Sequence, residues 1–274
     1  MQNRVSAGLR AIYLTVAVFS LTGVTRSQEG EATPGTPTPS VNPQAIKALE
    51  RMDAYLRSLK AFEINSISST DEVLDNGQKV QLDGTVRMQV RQPDRLHAEV
   101  KSDRKHRDFF YDGKNFTLLA RRMNYYATVP APPTLGELAT ALAKKHGIEV
   151  PLADLFYWGT EKASPSAFRS AISLGPAKVE GTNCEHYAFR EEDVDWQLWI
   201  QKGETPLPRK LVITTVDEPS QPQHTSVLKW NTSAQFDDKV FTFTPPEGVN
   251  RIAMKTLDLA PTGRDESDKK PPEK

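Results

Sequence analysis

Five histidines, one cysteine and one acidic cluster are the residues of this chain whose types could do chemistry. His97, His106, His146, His186 and His224 are scattered, and no two stand three to five residues apart, as paired metal ligands on a helix do. Cys184 and His186 alternate onto one face of a strand, where they could share a ligand or simply pack. One sulfur and one imidazole are too few for zinc, so packing is the expected role. The run "EEDVD", from Glu191 to Asp195, could offer oxygen atoms to a hard cation. It lacks the glycine and the ligand spacing of a calcium loop, which makes it a solvated turn. There is no G-x-S-x-G elbow, no phosphate-binding loop and no dinucleotide fingerprint. The expectation is a protein with no catalytic residues, no metal and no cofactor, not an enzyme.

What remains is aromatic and aliphatic. "FFY", "NYY", "LFYW", "WQLW" and "LKWN" supply more large rings than one face of a sheet needs. In "DWQLWIQ" the extended backbone puts Trp196, Leu198 and Ile200 on one face and Trp199 on the other. A strand apolar on both faces is covered on both. Trp199 is therefore expected either as core, packed against "LADLFYW", or beside a ligand under the inserted helices or at a cavity rim, or as an exposed patch if nothing covers it. The residues picked to line an apolar binding space are Trp196, Trp199, Leu155, Phe156, Trp158 and Tyr126.

The elements that must position these residues follow from periodicity. From Pro43, apolar residues at Ile46, Leu49, Met52, Leu56 and Leu59 recur every three or four positions, which predicts an amphipathic helix with proline in its first turn. The period then becomes two. "KVQLDGTVRMQVRQ" is a long strand with one dry and one wet face, tied to the strand before it by a turn at Asn76-Gly77. "RLHAEVK", "RDFFYDGKNFTLLA" turning at Asp112-Gly113, and "NYYATVP" continue an antiparallel meander. A helix over "TLGELATALAKKHG", capped by Gly147, interrupts it, followed by a second short helix in "PLADLFYWG". Strands resume in "AISLGPAKV", "CEHYAFRE", "VDWQLWIQ", "RKLVITTV", "QHTSVLKWN" and "KVFTFTPP". About ten or eleven strands in one sheet curl, split or close. The fold class is mainly β with inserted helices (α+β), a curved antiparallel sheet with a concave apolar interior whose open side the helices could cover.

The chain ends set the context. Arg4 and Arg10 precede an uncharged apolar run over residues 11–24, the pattern of a signal peptide and too short for an ordinary membrane span. Cleavage after Ser27 suits Thr25 and Ser27, while Arg26 between them leaves an uncleaved N-terminal anchor as the alternative. Residues 28–43 read as a disordered Pro/Thr-rich linker, 44–258 as a single domain and 259–274 as a disordered charged tail. Without residues 1–27 the balance of 35 basic against 35 acidic groups becomes 32 against 35, which gives no reason to expect nucleic acid as a partner. Cys184 is the only cysteine, so no internal disulfide can form, and it is expected to be buried.

The order of leading helix, long hairpin, "RQPDRLHAEV", "FFYDGKNFTL", "RRMNYYATVPAP", inserted helices, "CEHYAFRE", "DWQLWIQKGETPLPRKLVITT" and "FTFTPP" resembles a family of predicted periplasmic bacterial proteins, a domain of unknown function. It resembles more distantly the LolA/LolB lipoprotein-carrier superfamily. The resemblance covers about residues 44–252 and implies a LolA-like half-barrel with a helical lid. It also implies, less directly because fold does not carry function, binding of a lipid or lipoprotein acyl chain, and the protein is expected in the periplasm as a monomer. The alternative is an interaction or sensor module with a filled core that meets an envelope protein.

Overall fold

The computed structural model describes residues 40–153 and 168–257. Helix α1 (Pro43–Ser58) starts at Asn42, whose side chain accepts from the Gln44 N–H at 2.8 Å, and Pro43 fills the first turn, where no amide partner is lost. Ala45, Met52 and Leu56 bury its apolar stripe. Six strands follow: β1 (Ala61–Val73), β2 (Lys79–Arg91), β3 (Arg95–Ser102), β4 (His106–Tyr111), β5 (Asn115–Ala120) and β6 (Tyr125–Pro130). Helix α2 (Leu135–His146) begins with a reciprocal cap. Thr134 Oγ1 accepts from the Glu137 N–H at 3.3 Å and donates to Glu137 Oε2 at 2.9 Å. It ends at Gly147, whose left-handed backbone (φ 62°) lets its amide reach the carbonyls of Ala143 and Leu142. Then come β7 (Ser170–Val179), β8 (Thr182–Arg190), β9 (Val194–Gln201), β10 (Pro208–Thr215), β11 (Gln223–Asn231) and the two-residue β12 (Asn250–Arg251).

All twelve form one open sheet in the order β12-β6-β5-β4-β3-β2-β1-β11-β10-β9-β8-β7. Each pair is antiparallel except β12 with β6. β1 is the seam, pairing along its whole length with β2 and over Glu63 to Thr70 with β11. The unclosed sheet with two helices is the large antiparallel sheet that the periodicity predicts, in the half-barrel form that the family resemblance implies.

Both helices lie across the strands on the same face. The Asn42 N–H donates to Ala171 O on β7 at 2.8 Å, and α1 then runs to the start of β1. From β7 to β1 the sheet order counts five inter-strand gaps, roughly 24 Å and the length of a 16-residue helix. Helix α2 starts at the β2–β3 turn, where the Leu135 N–H donates to Pro93 O, and heads for the β6 edge. The core lies between: Phe62, Ile64, Met88, Leu96 and Phe109 from one half of the sheet, Phe189, Leu198, Leu211 and Leu228 from the other, with Met52 and Leu138 from the helices.

Two expectations change. "KVFTFTPP" forms no strand: Asp238–Val240 is a short 3₁₀ helix and the chain beyond it lies over the other, outer face. Phe241 is fully buried there, and Phe243 packs on Phe110 and Tyr126. The segment then pairs as β12 and ties to the end of α2, where the Leu257 N–H donates to Lys145 O at 2.7 Å. Of the second helix expected in "PLADLFYWG", residues 151–153 form a turn and the rest lies outside the described residues.

Candidate functional site

The register separates the candidate residues. Trp196 stands opposite Ile213 and Phe189 on the helix side. Its ring stacks on Phe189 at 4.1 Å and meets Phe168 at 5.9 Å, and its indole N–H donates to Glu191 Oε1 at 2.9 Å, so the one polar atom of a buried ring is satisfied. Trp199 is on the outer side. It stacks on His186 with ring centres 3.8 Å apart, and Lys210 Nζ lies 4.7 Å from its ring centre. Tyr126 is on the outer side as well, near the other edge of the sheet, with Phe243 at 4.9 Å. The expectation that these three converge on one binding space is corrected, because strand alternation sends Trp196 to one face and Trp199 and Tyr126 to the opposite one. Leu155, Phe156 and Trp158 lie outside the described residues.

The outer side is polar and internally paired. Arg121 Nε donates to Asp108 Oδ2 at 2.5 Å, His97 Nδ1 lies 3.3 Å from Gln89 Oε1, and Gln89 Nε2 and Arg87 Nη2 both donate to Glu63. Burial alone would raise the Asp108 carboxyl, but His97, whose Nε2 lies 3.5 Å from Oδ1, and the hydrogen bonds and charge of Arg121 outweigh it and hold it below its ordinary value. A depression of about 230 Å³ opens on this side over Ile67, Thr85 and Val227, edged by Lys101, Arg87 and Lys229. Cys184 is buried, and burial pushes its thiol up. His186 spends one ring nitrogen on Gln197 Oε1 at 3.0 Å, so the two do not act as a pair.

On the helix side the sequence reading missed a polar corner. Alternation from Phe62 and Ile64 brings Ser66, Ser68 and Thr70 onto the apolar face of β1, and from Trp230 and Leu228 it brings Ser226 and His224 onto that of β11. The signal was present as polar residues in register with core residues. Thr70 Oγ1 lies 2.7 Å from His224 Nδ1, and His224 Nε2 lies 2.8 Å from Ser226 Oγ. Desolvation pushes His224 below the ordinary histidine value, so its ring is neutral at neutral pH. Ser66 is 2 % exposed and its Oγ has no hydrogen-bond partner. An orphaned buried hydroxyl costs about 1–3 kcal/mol. The contact of serine with histidine does not make a hydrolase site: the far ring nitrogen meets Thr70 instead of a carboxylate that could stabilise an imidazolium. Among the described residues no three His, Cys, Asp or Glu side chains gather as metal ligands.

An open antiparallel sheet with two crosswise helices and an apolar inner face defines a half-barrel protein. The chain belongs to the family described as "Predicted periplasmic protein (DUF2092)", which it matches over residues 45–255. Among solved structures it is similar to an uncharacterized conserved protein from Thermus thermophilus, with 11% identity and a TM-score of 0.45, covering 77% of this chain and 99% of that one. It is similar to the Mycobacterium tuberculosis lipoprotein LppX, with 12% identity and a TM-score of 0.43 over 72% of this chain and 100% of that one. It is also similar to a LolA superfamily protein from Nitrosomonas europaea, with 10% identity and a TM-score of 0.31 over 73% and 97%. No curated protein matches the chain. The expected leader, its cleavage site and the alternative of an N-terminal anchor fall in residues 1–39, outside the described residues. None of the described helices is long and apolar enough to cross a membrane.

Proposed function

We propose that this is an exported, non-enzymatic protein that binds a hydrophobic molecule, a lipid or lipoprotein acyl chain, on the helix side of its half-barrel. One observation carries the reading: among the described residues, the two helices are narrow for the sheet they cross. Each helix lies across the strands as a strip roughly 10 Å wide. β1 and β2 run for 13 residues each, roughly 43 Å. The apolar face includes Val86 and Trp196, which are buried, and Val100, Ile213 and Phe168, which are only partly buried. Ile148, Val150 and Leu152 after α2, and Phe168 before β7, pack against the same core. The proposal assigns Trp196 to the ligand's floor and Leu155, Phe156 and Trp158 to its cover. Trp199 and Tyr126 are left out because they face away. Burial at about 25 cal/mol per Å² drives binding.

Native mass spectrometry of the full chain, exported to the periplasm of a bacterial host and then extracted with solvent, tests this. An adduct of lipid mass is expected. A clean apo mass with no fluorescence gain from a hydrophobic dye would overturn it. The second reading, a filled core that meets an envelope protein, is favoured by the outer depression, where Ile67 is 58 % exposed between basic side chains.

A further inference from the structure

We infer that the polar group of this hydrophobic ligand is an uncharged acyl carbonyl, held by the hydroxyls of Ser66 and of the Thr70–His224–Ser226 chain. The inference rests on the proposed function and names which part of the ligand this corner takes.

The hydrogen bonds do not close on themselves. A neutral imidazole has one donor nitrogen and one acceptor nitrogen. If Thr70 donates to Nδ1, then Nε2–H donates to Ser226 and the Ser226 proton has no acceptor. If the tautomer is reversed, the Thr70 proton is the one left over. Ser226 is 1 % exposed, so in the first arrangement bulk water cannot take its proton. Ser66 Oγ is a second donor with no acceptor. Buried donors without acceptors are rare in folded proteins, and an acceptor arriving from outside accounts for both.

Ser66 and Ser226 are diagonal neighbours across β1 and β11, since Ser68 stands opposite Ser226 and Ser66 opposite Leu228. Diagonal positions are about 7–8 Å apart at the backbone and closer at the side chains. A carbonyl oxygen, with two lone pairs, can accept from both hydroxyls. Charge decides against an anion. The nearest cation in register on this face of the sheet is Arg107, reached from Ser66 through Val86 and Val100, three strands away and so roughly 14 Å off. Arg104, at the turn after β3, is taken up by Glu72, so among the described residues of the sheet a buried carboxylate or phosphate would have no free counter-charge here. Access is from the hairpin end. Ser68, Thr70, Leu82 and Gly84 are only half-buried where β1 and β2 run towards their turn, while Leu228, Ile64 and Met88 continue the floor inwards. The carbonyl sits at this corner and the acyl chain runs in along them.

Four probes test the inference on the full chain after lipid extraction: dioleoylglycerol, its diether analogue without carbonyls, oleate, and an N-oleoyl peptide. Tryptophan fluorescence titration gives the affinities. The ester or the N-oleoyl amide is expected to bind at least 5-fold more tightly than the diether, and which of the two does so separates a glycerolipid from an amide-linked acyl group. Ser66→Ala is expected to remove that preference, lowering ester or amide affinity about 5-fold without changing diether affinity. Its melting temperature without lipid should be equal or higher, because an orphaned hydroxyl is deleted. Equal binding of ester, amide and diether by the unaltered protein overturns the inference and leaves the carrier reading standing, even if Ser66→Ala fails to fold. So does tightest binding of oleate. Failure of all four probes overturns both.

Discussion

Trp199 is held on the outer side between His186 of one neighbouring strand and Lys210 of the other, and this explains a tryptophan between two glutamines better than a ligand does. The ring shields the sheet backbone, and a stacked imidazole and a cation contribute through the π-system. Desolvation, with the charge of Lys210, keeps His186 below its ordinary pKa and so neutral against the ring. Trp199→Ala is therefore expected to cost about 1–2 kcal/mol of stability and to leave hydrophobic-probe affinity unchanged. Urea denaturation and a dye titration on the same sample check the two halves. A loss of dye binding in folded Trp199→Ala protein would put the ligand on the outer face and sink the assignment to the helix side. Alternation alone separates Trp196 from Trp199. Which of the two faces the helices take is decided by the crossing of α1 from β7 to β1, a long-range fact that no local pattern carries.

The same distinction between local and long-range information runs through the elements. The period of 3.6 places α1 and α2, with Pro43 and Gly147 marking ends, and the period of two places β2 to β11, with β1 inferred from the turn at Asn76-Gly77, because each signal comes from one segment exposing one face to one core. The final segment misleads because F-T-F-T alternation reports that aromatic residues are buried, not that the backbone pairs. A chain laid over a sheet face shows alternation too. Phe241 there is fully buried with Phe236 at 5.7 Å and the Arg91 guanidinium 5.3 Å from its ring centre, and Arg91 also pairs with Asp238. Phe241→Ala should create a cavity at the outer face and cost about 3–5 kcal/mol, read from the denaturation midpoint. Ester-probe affinity of the folded fraction should stay as it was, since the segment and the ligand occupy opposite faces. A drop in affinity would mean that the outer segment shapes the inner face. The polar corner was legible only in hindsight, as Ser66, Ser68 and Thr70 continue the row begun by Phe62 and Ile64.

At the scale of the whole molecule the sheet is open, with β7 and β12 as its edges, and its two halves are joined in the sheet only where β1 pairs with β11. One half lies over α1 and the other over α2, and the polar corner falls on the seam itself. A ligand seated there touches both halves, so it binds the folded chain and has nothing comparable to bind in the unfolded one. Mass action then makes stability depend on lipid: at a free concentration a hundredfold above its dissociation constant a ligand adds about 2.7 kcal/mol. For a domain of this size that is about 5–10 °C in melting temperature. Protein purified with its lipid is expected to melt higher than the same protein after solvent extraction, and added dioleoylglycerol should restore the difference. Extracted protein that melts at the original temperature, and does not respond to added lipid, has a core that is already full. The apolar face beyond the two helices would then be closed by the chain itself, and the outer depression over Ile67 becomes the surface on which to seek a partner.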